Sequence, residues 1–444
     1  MSSGKQVDRQ TSGFARTGVS RRDFVKRAAV GAGGLAIASR IPSAFAQASD
    51  VIKIGFVSPR TGPLGAFGEG DPYVLGLARK ALTKGLTVGG KKYKVEIIDR
   101  DSQSDPARAS QLAKGLINSD NIDLMLVTST PEVVNPVSDA CEAAGVPCVS
   151  TTVPWEAWYF GRGAKPGAPA PFKWTYHFSY GVAQFANAYI SMWKGVPTNK
   201  KVGVMLPNDA DGNALRAHLI PMLEKAGYIV FDPGGYEDGT TDYSTQIEKY
   251  KNANVQIFTG VPIPPDFATF WRQSAQLGFA KTIKIQSIGK TGLFPAQIEA
   301  LGRLGYNIAG LCYWHPTFPY KSPLTGETSR ALADGYEKSS GKQWNQQVGG
   351  TQSLLDAGVE ALKATSDPRN KAEVAKRLSH FKITTTVGVV DWSKGPVPNV
   401  ATTALTGDQW IKARPGSKYK LDLVIIDNSE DPNVPVGAKL QPYG

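Results

Sequence analysis

The sequence predicts an α/β protein of two Rossmann-like lobes, each built on a parallel sheet, joined by hinge crossovers with a ligand cleft between them. Three observations predict this. From Val51 onward, short β-branched runs alternate with amphipathic stretches, the pattern of parallel strands covered by helices on both faces. The alternation is interrupted once, between Trp155 and Lys173, and then resumes as a second, similar series. The chain of 444 residues, 41% hydrophobic and 20% charged, exceeds the usual length of one domain and has apolar residues for a substantial core.

The elements follow in order. Val51 to Val57 reads as the first strand, followed by a glycine-rich loop and a helix from Asp71 to Lys84. Lys94 to Asp99 is a second strand. Ser104-Asp105-Pro106 sets a capping carboxylate before a proline in the first turn, so a helix opens there and runs to Asn118. Ile122 to Val127, Asn135 to Ala144 and Val146 to Ser150 give strand, helix and strand. After the interruption come a helix (Ala183 to Lys194), a strand (Lys201 to Leu206), a helix (Asn213 to Ala226) and a strand (Tyr228 to Phe231). A helix (Tyr243 to Lys251), a strand (Val255 to Thr259), a helix (Asp266 to Leu277) and a strand (Thr282 to Ser287) complete the second series. The remainder holds helices Gly349 to Ala364 and Lys371 to Leu378, with strand-like Phe381 to Trp392 and Tyr419 to Ile426. The expected division is residues 50–176 for the first lobe, 177–308 for the second and 309–444 returning to complete both. Ligands of open α/β sheets bind beyond the carboxyl ends of the strands, and paired lobes set two such edges face to face.

The net charge of +12 is uneven: residues 1–46 hold eight Lys or Arg against two Asp, half of the excess. A nucleic-acid protein would spread basic residues over a working surface, so the basic balance is no argument for DNA or RNA. Ser20-Arg21-Arg22-Asp23-Phe24-Val25-Lys26 is a twin-arginine export pattern. A weakly apolar stretch, Ala28 to Ser39, and the small-x-small site Ala44-Phe45-Ala46 follow it. The apolar stretch is too short to anchor in a bilayer. Residues 1–46 are therefore expected to be a signal peptide, leaving a mature protein free in the periplasm. In that oxidising compartment Cys141 and Cys148 are either a disulfide closing a short helix-to-strand loop or two buried thiols.

Several chemistries are excluded. Gly85…Gly90-Lys91 has P-loop spacing, but Lys92 stands where Ser or Thr must bind Mg²⁺ and the segment precedes a strand. Gly289-Lys290-Thr291 follows a strand, but the position of its first glycine is Lys284. Gly65, Gly68 and Gly70 do not make the dinucleotide fingerprint, and His177, His218, His315 and His380 have no metal-ligand spacing. No G-x-S-x-G elbow occurs. No cofactor is expected, and an enzyme of unidentified reaction is the rival class.

Val51 to Pro59, then Thr61-Gly62-Pro63-Leu64-Gly65-Ala66-Phe67-Gly68, resembles the opening of leucine/isoleucine/valine-type solute-binding proteins of ABC transporters. Asp105-Pro106, Asn135-Pro136-Val137-Ser138-Asp139, Gly145-Val146-Pro147, Asp242-Tyr243-Ser244 and Trp271-Arg272-Gln273-Ser274-Ala275 extend the resemblance over most of the chain. It implies the type I periplasmic binding fold, a monomer that closes on a small solute, and permease subunits as partners; a sensor domain on the same fold is an alternative. It also implies that Phe67 contacts the solute's side chain. Hydroxyls and amides at two strand ends, Thr128, Ser129 and Thr130 with Ser150, Thr151 and Thr152, would hold a carboxylate. At Thr151 and Thr152 ordinary turn chemistry is the alternative.

The second lobe departs from the amino-acid pattern. Asp211 replaces the aromatic that resemblance expects, and Gly260-Val261-Pro262-Ile263-Pro264 lacks the acidic residue. An α-ammonium would need Asp209, Asp211 or Asp266. Tyr180 and Pro262 complete the candidate set. Trp155, Trp158, Tyr159 and Phe160 either stack on the solute or pack the interruption. The departures favour a bulkier or more aromatic solute than leucine, an aromatic or other organic acid.

Overall fold

In this computed structural model the described residues are 50–169 and 171–444; the twin-arginine pair Arg21 and Arg22, and the signal segment 1–46, lie outside them. The strands, in chain order, are β1 (Val51–Ser58), β2 (Leu86–Val88), β3 (Lys91–Asp101), β4 (Leu124–Thr128), β5 (Cys148–Thr151) and β6 (Thr175–Ser179). They continue with β7 (Lys201–Met205), β8 (Ile229–Phe231), β9 (Ile257–Gly260), β10 (Ile285–Gln286), β11 (Ala309–Cys312), β12 (Lys382–Thr385), β13 (Gly388–Asp391), β14 (Val400–Thr402), β15 (Thr406–Lys412) and β16 (Leu421–Asp427).

The first lobe is a seven-stranded sheet in the order β14-β6-β5-β4-β1-β3-β2, parallel except for the β2–β3 hairpin. β1 is central, with Ile52, Ile54, Phe56 and Val57 fully buried. That is why its sequence runs apolar rather than alternating. The second lobe orders its strands β10-β9-β7-β8. A parallel bridge from Ser287 to Ala309 joins this sheet to β11-β15-β16, so the two form one continuous layer with an antiparallel end.

The helices are α1 (Asp71–Ala81), α2 (Pro106–Asn118), α3 (Pro131–Ala144), α4 (Trp155–Tyr159), α5 (Val182–Trp193), α6 (Ala210–Lys225), α7 (Ser244–Asn252), α8 (Pro264–Gln276), α9 (Pro295–Glu299), α10 (Ser329–Ser340), α11 (Gln346–Lys363) and α12 (Lys371–Leu378). As the capping pattern predicts, Asp105 accepts the Arg108 N–H at 2.6 Å and Pro106 opens α2. α3 begins four residues earlier than its apolar period suggests, because Pro131 fits the first turn at no hydrogen-bond cost. α11 is buried along almost its whole length. A Cβ at Gly358 would stand 2.7 Å from Leu126, and one at Gly349 only 2.0 Å from the Trp314 ring. Only glycine lets this helix lie directly on the first sheet.

Several strand assignments change, and β2, β11, β14 and β15 are strands not expected from the sequence. Phe381 to Trp392 is the hairpin β12–β13, turned at Gly388 with φ of 100°. Thr175–Ser179, not expected as a strand, extends the first sheet beside β5. The chain passes from the first sheet to the second after Ser179, returns after Cys312, and passes over again between Thr402 and Thr406. Cys141 and Cys148 are free thiols, as is Cys312, all buried. The disulfide candidate is thus not formed in this structure: the two thiols stand on either side of the turn at Gly145. Among the described residues no helix is long and apolar enough to cross a membrane.

Candidate functional site

The site is a cavity at the meeting of the two sheet edges. About 460 Å³ of space lies between its walls, part of it open to solvent. Its first wall comes from the carboxyl ends of β4 and β5. Ser129 and Thr152 both turn through positive φ, at 130° and 78°, a conformation costly for residues with a Cβ and concentrated at binding sites. The Thr128 and Thr152 hydroxyls share a hydrogen bond of 2.9 Å. The hydroxyls of Ser129 and Thr130 are buried with no partner. Phe67 reaches the cavity from the turn Gly65–Gly68, where a Cβ on Gly68 would lie 2.3 Å from the Pro59 carbonyl.

The second wall is charged. Asp209 caps α6 by accepting the Gly212 N–H at 2.6 Å, which fixes both Asp209 and Asp211 after β7. Lys290, just beyond β10, sets its Nζ 3.2 Å from Asp209 Oδ2 and 2.8 Å from Asp211 Oδ2. Burial works against its charge, but Asp209, Asp211 and Glu132 outweigh it and hold the ammonium well above the usual lysine range. Burial pushes Asp211 up to about 7 against the pull of Lys290. Asp211 Oδ1 is buried with no partner. Val261, Gly289 and Leu293 complete the wall. The Phe67 ring meets Phe294 edge-on at 4.9 Å, closing one side of the gap between the lobes.

The crossovers make the floor. Tyr180 follows β6, Tyr313 follows β11 and Leu405 precedes β15, and all three line the cavity with Phe185 and Leu311. The Tyr180 hydroxyl donates to the Thr152 carbonyl at 2.8 Å, while that of Tyr313 has no partner. Gln347, at the start of α11, is buried with neither amide atom bonded. It converges with Thr152 and Tyr313 around Gly350.

Of the residues singled out from sequence, Phe67, Ser129, Thr130, Thr152, Tyr180 and Asp211 line this one cavity, with Asp209 directly behind. Four stand off it. Ser150 bonds His177 Nδ1 at 2.8 Å, Thr151 is buried at the end of β5, and the Pro262 carbonyl accepts from Thr291 at 3.0 Å. Trp155 lies on Gly181, where a Cβ would come 2.2 Å from its indole nitrogen. Its neighbours pack together: Trp158 stacks on His177 at 5.1 Å, and the Arg162 guanidinium sits over Trp158 and Phe172. The aromatic run is thus packing for the insertion. Lys290, Leu293, Phe294, Tyr313, Gln347 and Leu405 were not singled out as ligand contacts. For Lys290 the signal was present, a lysine directly after a strand in Gly289-Lys290-Thr291. Among the described residues no cluster of His, Cys, Asp and Glu is arranged to hold a metal.

Two α/β lobes joined by three crossovers, with a cavity between strand ends, define a solute-binding architecture. The chain belongs to the periplasmic binding protein family, whose sequence model matches residues 51–404. A Leu/Ile/Val-binding protein homolog of Brucella melitensis is 23% identical over 361 residues, 81% of this chain and 92% of that protein. The leucine-binding protein of Thermotoga maritima superposes with a TM-score of 0.67 at 18% identity, covering 85% of this chain and 99% of that one. A solute-binding protein of an ABC transporter from Rhodopseudomonas palustris, in complex with 3,4-dihydroxybenzoic acid, gives 0.68 at 18%, covering 86% and 99%. Members of this family are solute-binding proteins of ABC transporters, with the two-lobed type I fold.

Proposed function

We propose that this chain is exported by its twin-arginine segment, captures a small organic acid between its lobes as a monomer, and delivers it to the permease subunits of an ABC transporter. The observation that carries the reading is the cavity itself. Ser129, Thr130, Tyr313 and Asp211 bury polar atoms in it without partners, an arrangement that costs about 1–3 kcal/mol for each group until a ligand bonds it. The remaining lining, Phe67, Phe185, Val261, Leu293, Leu311 and Leu405, suits an apolar body. Closure about the crossovers buries the solute, and no bond in it changes. A thermal-shift screen against amino acids, aromatic acids, amides, polyamines and sugars tests this. A true ligand at a hundredfold excess over its Kd adds about 2.7 kcal/mol and raises the Tm by several degrees. A screen in which no solute raises the Tm would sink the reading.

A further inference from the structure

The second wall already holds an ammonium, and it belongs to the protein. Three carboxylates were available for an α-ammonium. Two of them, Asp209 and Asp211, hold Lys290 Nζ at 3.2 and 2.8 Å. The third, Asp266, accepts the Gly239 N–H through both oxygens at 3.1 Å and lies off the cavity wall. What remains open in the cavity is Ser129 Oγ and Thr130 Oγ1 on one wall, the Tyr313 hydroxyl on the floor and Asp211 Oδ1 opposite. Each is more than nine-tenths buried.

A ligand that satisfies this set needs an acceptor-rich group for the hydroxyls, an apolar body, and one hydrogen-bond donor for Asp211 Oδ1. A hydroxyl supplies that donor without charge. An ammonium supplies it too, but would have to share Asp211 with Lys290 Nζ, a like charge already held there at 2.8 Å. That like-charge crowding, offset only in part by Asp209 and Asp211, weighs against the ammonium and not against the hydroxyl.

We propose that the solute is a hydroxy-carboxylic acid carrying no ammonium group, and that Lys290 is the specificity-determining residue that turns amino acids away. This rests on the solute-capture reading and narrows it. The carboxylate lies against Ser129 and Thr130, the hydroxyl donates to Asp211 Oδ1, and the body fills the space between Phe67 and Leu293.

Isothermal titration of the purified chain with three matched pairs tests it: 2-hydroxy-4-methylpentanoate with leucine, 3-phenyllactate with phenylalanine, and 4-hydroxybenzoate with benzoate. In at least one pair the hydroxy acid should bind at least tenfold more tightly. Lys290→Met, which frees both carboxylates for a ligand ammonium, should erase or reverse the preference in the two amino-acid pairs. If this variant does not fold, the wild-type pairs still decide. An amino acid that binds the wild type as tightly as its hydroxy isostere overturns the proposal and leaves solute capture standing. Silence from all six compounds overturns it too, and the wider thermal-shift screen then shows separately whether capture itself holds.

Discussion

Two sets of buried acids, one in each lobe, are held in opposite ways. The first lobe sets Asp71 between the hydroxyls of Ser58 and Thr351, Asp356 against Ser322 and Gln352, and Glu156 against the Val182 N–H. None of the three has an ion-pair partner, and burial pushes each up to about 7. The second lobe gathers Asp209 and Asp211 around Lys290 and keeps the cation charged. The first arrangement is held by protons and neutral hydrogen-bond partners alone. The second is built around a cation that stays charged, so it answers to a substitution or to a ligand of the same sign, even though burial pushes Asp211 up to about 7 as well.

The largest expected effect comes from breaking the second arrangement. Lys290→Met leaves two buried carboxylates without a cation and should cost about 3–5 kcal/mol, read from urea unfolding at pH 8. At pH 5.5 the deficit should shrink, because the freed carboxyls take up protons; an equal deficit at both pH values would remove the fixed-charge account. The first arrangement is broken by base. Asp71 has a folded value raised to about 7 by burial, so the folded state binds the proton more tightly than the unfolded chain. Its contribution is full below about pH 4 and is lost as pH rises to 7, at about 1.4 kcal/mol per pH unit. Asp71→Asn should therefore gain on the wild type across that window, whereas a constant difference would show that Asp71 is ionised throughout. Next comes Ser129→Ala, which removes one hydroxyl from the neutral wall. It should weaken binding of a carboxylate ligand by about 1.5–3 kcal/mol and raise the melting temperature of the ligand-free protein, because it removes a buried hydroxyl that has no partner without ligand. The smallest effect concerns Cys141 and Cys148. As free thiols they should leave the Tm insensitive to dithiothreitol, whereas a disulfide would add about 2–4 kcal/mol and make reduction visible.

Most of the first wall was legible from sequence. The strand-and-helix rhythm places Ser129 and Thr152 at strand ends, and the glycine-proline loop carries Phe67, because these positions depend on local order alone. Lys290 was not read as a contact. Its meaning depends on β10 ending opposite β7, a long-range relation, so Gly289-Lys290-Thr291 showed only that it was no P-loop. Tyr313 and Leu405 stayed hidden for the same reason: each lies where the chain changes sheets, and those points follow from pairings such as Ser287 with Ala309 and Thr402 with Ser179. The aromatic run misled toward the ligand through Trp155, because stacking residues look alike from composition whether they meet a solute, Gly181 or Arg162. The two-residue β10 was overextended because Ile283, though apolar and buried, belongs to the turn before it.

The floor of the cavity has a mechanical consequence. Tyr180, Tyr313 and Leu405 sit in the three segments that cross between the sheets, so in the proposed closure a solute would rest close to the fulcrum and the outer faces of the lobes would move on the long arm. A substituent wedged at the fulcrum end opens the far edges by several times its own width, while the same substituent pointing outward opens them by about its width alone. Under that closure the protein would work as a gauge: a difference of one methyl group at the floor would become a displacement several times larger at the lobe edges.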